Sequence, residues 1–139
     1  MEGWNRGDGE ACARPFADGA EFTAITGLRA EGRKAIARGH QEILSTVFRG
    51  TRLTSTVNIV RFLRPDVAVA DVTLRLDGGP HLPGQSSLGV VATKDEGVWS
   101  IAVFRKMIPF DRPVAGPLER ELLGKDRRLD NLAGLQYAR

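Results

Sequence analysis

Cysteine is nearly missing from these 139 residues. The single one, Cys12, cannot close an internal disulfide, which fits a reducing, cytoplasmic setting. His40 and His81 are the only histidines, so no ligand cluster of zinc-site spacing exists and no metal is expected. No run approaches the ~20 apolar residues that a membrane-crossing helix needs, so no membrane partner is expected. The opening stretch MEGWNRGD lacks the apolar segment of a secretory leader. Phosphate loops and dinucleotide fingerprints are missing as well. Gly78-Gly79 falls between two strand-like runs, the wrong context for either, and no cofactor is expected. Charge of one sign is scarce too, the formal net being +3. Near the end, Lys125, Arg127 and Arg128 alternate with Glu119, Glu121, Asp126 and Asp130. That reads as a solvated helix face, and no nucleic-acid partner is expected.

What is present suffices for one core. Apolar residues make up 42% and charged ones 27%, ordinary for a globular domain of this length. Arg6-Gly7-Asp8 spells an adhesion tripeptide, but its glycines read as a break between two helices. Residues 9–16 read as a short helix stopped near Pro15. Asp18-Gly19 reads as a turn, and residues 20–25 alternate like a strand. Gly27 allows a reversal into a return arm over 28–31. Gly32 opens the clearest helix, from Arg33 to Phe48, with Ile36, His40, Ile43, Leu44 and Val47 on one face. Runs rich in Val, Ile, Thr, Phe and Trp predict strands near 52–64, 66–77, 86–95 and 98–108. Their short links predict an antiparallel meander, and their length of ~10 residues a strongly bent sheet. Beyond Pro109 come a linker with Pro113, Gly116 and Pro117, then a charged amphipathic stretch over 118–130.

This order of elements is an α+β arrangement. Six stretches go further: WNRGD at 4–8, PFADGAEFTAITG at 15–27, EGRKAIARGH at 31–40, FRGTRL at 48–53, RPDVAVA at 64–70 and GVWSIAVF at 97–104. Together, over residues 4 to about 108, they resemble the SnoaL-like branch of the nuclear transport factor 2-like superfamily, and within it the SgcJ/EcaC group. The resemblance implies a cystatin-like cone: helices packed in a strongly curved, mostly antiparallel sheet with an internal apolar pocket. It also implies a homodimer through the outer sheet face. The chain then divides into a 1–110 domain, its first helix shortened relative to the group, and a 111–139 tail that could pack on its own domain or on a partner.

In that fold, Phe16, Phe22, Ile36, Phe48 and Phe104 would supply apolar pocket walls, although both Phe16 and Phe22 could equally be plain core. His40 stands inside an apolar stripe, where a neutral imidazole could act as general base or anchor a ligand carbonyl; a hydrogen-bonded core histidine is the alternative. Asp71 could hold that imidazole in one tautomer. Asp71, Thr73 and Arg75 share a strand face, which either meets the pocket or faces solvent or a partner chain. Ketosteroid isomerase, of the same superfamily, needs an Asp base with a Tyr and a protonated Asp. The resemblance puts the base near Ala24 and the acid near Leu88 to Val90, and the only tyrosine is Tyr137, so that chemistry is not expected. Cys12 reads as a small buried residue. Two functions remain: binding, with or without cofactor-free acid–base turnover, of a small apolar polyketide-like or polycyclic molecule at His40 and Asp71; or a non-catalytic association module with a filled cavity.

Overall fold

A computed structural model describes residues 1–79 and 84–108. His81, Tyr137 and the 111–139 tail with its 118–130 stretch lie outside the described residues. In chain order the elements are α1 (Glu2–Arg6), α2 (Gly9–Ala13), β1 (Phe16–Thr23), β2 (Arg29–Glu31), α3 (Arg33–Ser45), β3 (Arg52–Arg64), β4 (Val67–Asp77), β5 (Gln85–Asp95) and β6 (Val98–Met107). The six strands form one sheet in the order β2-β1-β6-β5-β4-β3. β3 to β6 make the antiparallel meander that their short links predict. β1 then joins β6 in parallel, and β2 closes the far side as the second arm of a hairpin.

The adhesion-like tripeptide is helix punctuation. Gly7 ends α1 in the left-handed region at φ 71°, and the Asp8 carboxylate caps α2 by accepting from the Ala11 N–H at 2.9 Å. Gly9 permits a close helix approach: a Cβ there would sit 2.5 Å from the Ala37 carbonyl oxygen. Its own N–H donates to Gln41 Oε1 at 2.9 Å, which ties α2 to α3.

Two of the quoted stretches hold each other. Trp4 Nε1 donates to Thr51 Oγ1 at 3.0 Å, and Thr51 donates onward to the Phe48 carbonyl at 2.8 Å. Asn5 grips Leu53 twice, accepting from its N–H at 2.7 Å and donating to its carbonyl at 3.1 Å. The WN pair therefore fastens α1 to the start of β3.

Three local expectations are revised. Asp18-Gly19 is not a turn before a strand but a bulge inside one, since Phe16 pairs with Ile101 while Glu21 already pairs with Val103. Arg33 stabilises the excursion, with Nε donating to the Phe16 carbonyl at 2.7 Å and Nη2 3.1 Å from Asp18. The long helix stops at Ser45 rather than Phe48. There the Ser45 and Thr46 hydroxyls donate to carbonyls one turn back, competing with the helical ladder. Val47, assigned to the apolar stripe, consequently lies past the helix and is 59% exposed.

The core lies between the helices and the concave face of the sheet, in two adjoining clusters. Trp4, Leu44, Leu53, Leu74, Leu88 and Val90 form one. Ala13, Phe16, Ala20, Ile36 and Ala37 form the other, and Ile101 and Phe104 pack against both. The sheet curls enough for Phe62 on β3 to meet Trp99 on β6, ring centroids 5.8 Å apart, across two intervening strands.

Candidate functional site

The concave face gathers rings around one imidazole. Phe22 on β1 and Phe104 on β6 are register partners and stack with centroids 4.7 Å apart and planes 12° from parallel. His40, on α3 above them, meets Phe22 edge-on at 5.2 Å and Trp4 at 6.2 Å. Phe48 leans on the other side of Trp4 at 5.5 Å. Aromatic pairs of this kind are worth roughly 0.5–1.5 kcal/mol each beyond their area, so the rings form a stiff wall.

His40 Nδ1 lies 2.8 Å from the Ile36 carbonyl oxygen, four residues back on the same helix. A carbonyl only accepts, so Nδ1 carries the proton and Nε2 keeps its lone pair. Among the described residues Nε2 makes no hydrogen bond. Burial pushes the imidazole below its ordinary range, Lys106 adds to this, and the Ile36 hydrogen bond opposes it. The ring is therefore neutral at neutral pH and presents a basic nitrogen.

Lys106 is the residue that sequence reasoning missed. It sits on β6 opposite Leu88 and two positions from Phe104, so its side chain emerges on the concave face. Burial lowers its pKa as well. Its signal was the strand alternation itself: a lysine in phase with Phe104, where another apolar residue would continue the wall.

The remaining sequence-predicted residues fall in three places. Phe22, His40, Phe48 and Phe104 are half-buried around the site. Phe16 and Ile36, 4% and 1% exposed, are core behind it, with Phe16 supporting Phe22 and Phe104 at 6.2 and 5.7 Å. Asp71 and Thr73 stand on the other face of β4. Ala68 and Leu74 are buried inward, so the positions alternating with them point out. Thr73 accepts there from Asn58 Nδ2 at 2.8 Å, and Asp71 is exposed. The structure thus does not bring Asp71 to His40, and the carbonyl of Ile36 fixes the tautomer instead. Cys12 packs against the core, and burial raises its thiol pKa, the reverse of an activated nucleophile. A hollow of about 400 Å³ lies apart from these residues, lined by Met1, Glu2, Arg6, Arg14 and Pro15 among others. It gathers the exposed ends of two short helices and none of the aromatic rings that surround His40, so it is the weaker candidate.

Neither a protein-family model nor a curated protein matches the chain. Solved structures do. A domain of unknown function from Nostoc punctiforme, itself described as cystatin-like, superposes with a TM-score of 0.74 and 28% identity, over 96% of this chain and 85% of that one. This chain has a cystatin-like fold. The likeness to the nuclear transport factor 2-like superfamily therefore holds at the level of architecture. Other solved structures that superpose on the chain are described by different roles. One is a candidate calcium/calmodulin-dependent protein kinase II association domain from Thiobacillus denitrificans, with a TM-score of 0.65 and 14% identity over 78% of this chain and 88% of that one. Another is a candidate scytalone dehydratase from Novosphingobium aromaticivorans, with a TM-score of 0.60 and 17% identity over 80% and 85%. No helix among the described residues is long and apolar enough to cross a membrane.

Proposed function

We propose that this cystatin-like chain is a SnoaL-like small-molecule-binding protein of SgcJ/EcaC type. It takes an apolar, polyketide-like or polycyclic compound on its concave face. One observation carries the reading: a neutral imidazole, its tautomer fixed by Ile36, held between Trp4 and Phe22 in front of the Phe22–Phe104 stack. Flat rings suit that wall, and Nε2 can accept a hydrogen bond from the ligand or take a proton from it. Any turnover would then be cofactor-free acid–base chemistry centred on His40, in the cytoplasmic setting that a chain with one cysteine fits. A homodimer through the outer sheet face, where Val69, Val91 and Asp71 lie, belongs to the same proposal.

The test is a thermal-shift screen against apolar ring compounds on the wild type and His40→Ala. A ligand at ~100 times its Kd stabilises by about 2.7 kcal/mol, which reads as a rise of several degrees. A rise in the wild type that His40→Ala abolishes supports the reading.

A second reading has its own observation. Val57, Ile59, Val60, Phe62 and Leu63 on the edge strand β3 are each 45–65% exposed. A long apolar edge is a ready template for another chain. On this reading the protein is an association module, as the kinase-association neighbour is described, and the concave face is merely core. Absence of any thermal shift, together with higher-order assembly that Phe62→Asp disrupts, would favour it.

A further inference from the structure

We infer that the concave site takes a ring compound bearing an anionic oxygen group, a carboxylate or a phenolate, with the Lys106 ammonium as its counter-ion. This rests on the reading of the concave face as a ligand site and names the class of ligand.

The argument is one of charge balance. An ammonium drawn out of water costs free energy unless an opposite charge accompanies it. Every ion pair among the described residues involves arginine: Arg6–Glu2, Arg29–Glu21, Arg33–Asp18, Arg64–Asp66 and Arg105–Glu21. Lys106 takes part in none of them. Its neighbour Arg105 points to the opposite face, where Glu21 and Thr23 bind its guanidinium at 3.1 and 2.8 Å. The strand positions in phase with Leu53, Leu74, Leu88 and Phe104 carry no Asp or Glu anywhere from β3 to β6. On α3, Glu42 is exposed. His40 is neutral and cannot balance the charge. Lys94, which occupies the same face of the sheet near the start of β6, has its ammonium 5.7 Å from the centre of the Trp99 ring. Lys94 is exposed to water, whereas Lys106 is half-buried. Lys106 is therefore the half-buried concave-face cation without a protein counter-charge among the described residues, beside rings that fit a flat ligand. A carboxylate or phenolate on such a ligand would accept from Nζ.

Two probes that differ in charge test this: 2-naphthoate and its neutral analogue 2-naphthamide, titrated calorimetrically at pH 7.5 into the full chain. The wild type should bind naphthoate at least tenfold more tightly than naphthamide. Lys106→Met should abolish that preference while holding the naphthamide affinity within about twofold, which also reports that the variant is folded. Lys106→Arg should retain the preference. Equal wild-type affinities for both probes would overturn the anionic class and leave the concave site standing. Preference that survives Lys106→Met would overturn the assignment to this lysine. Failure of both probes to bind at millimolar concentration would remove the ligand site, and the anionic ligand with it.

Discussion

β5 and β3 belong to the same sheet and have similar β-branched compositions, yet they differ in nearly everything else. β5 alternates, with Ser86, Leu88 and Val90 buried under the helices. β3 is exposed along its whole length apart from Leu53, the residue that Asn5 grips. The difference teaches that burial here is decided by what lies over a strand rather than by the strand. The helices lie against β1 and β2 and, through Trp4 and Leu44, cover Leu74, Leu88 and Val90 on β4 and β5; their reach ends at the first residues of β3.

The comparison can be broken most forcefully at Trp4, which belongs to the covered half. Trp4→Ala should cost about 3–5 kcal/mol, since it empties a core position and leaves Thr51 without its donor. Against a typical total of about 5–15 kcal/mol, the urea midpoint should fall sharply. Next in size is Gly9→Val, which would force α2 off α3. A loss of about 1–3 kcal/mol is expected in the same denaturation experiment.

The third prediction concerns pH. The pKa of His40 is lowered by folding, so below the unfolded value of 6.5 the unfolded chain takes up the proton first. Stability from this group is fully present above that pH and is lost as pH falls towards the folded value. His40→Gln should flatten the slope of urea-midpoint stability in that window. A wild-type slope that survives the substitution would place the titration elsewhere. The smallest effect is expected on the bare half. Phe62→Asp, at a side chain 65% exposed, should lower monomer stability by about 0.5–1.5 kcal/mol, the worth of its ring pair with Trp99. Gel filtration of the same variant shows whether β3 is an association surface.

Much of the architecture was legible from composition. The strand bounds of the meander agree to within a residue, because Gly50, Arg64-Pro65-Asp66 and Lys94-Asp95-Glu96-Gly97 punctuate runs of β-branched residues. The parallel docking of β1 on β6 was not legible, because it joins residues about 80 positions apart with no local signal, and the fold resemblance had to supply the cone. At the site, His40 and the phenylalanines stood out by residue type. Asp71 and Thr73 could not be placed, because β4 carries Val67 and Val69 on one face and Val72 and Leu74 on the other. Only the burial of Ala68 and Leu74 distinguishes the two faces. Lys106 escaped because one charged residue in an apolar strand reads as an outward position, although it stands in phase with Phe104 beyond the bulge between Ile101 and Val103.

The two tryptophans sit in opposite surroundings, and this has a spectroscopic consequence. Trp4 is 8% exposed, with its indole N–H donated to Thr51 and one edge towards His40. Trp99 is 38% exposed, under the Lys94 ammonium and against Phe62. Single-tryptophan variants would therefore emit at different wavelengths, the first blue-shifted and the second red-shifted. The first would report occupancy beside the imidazole, and the second would report how tightly the sheet is curled.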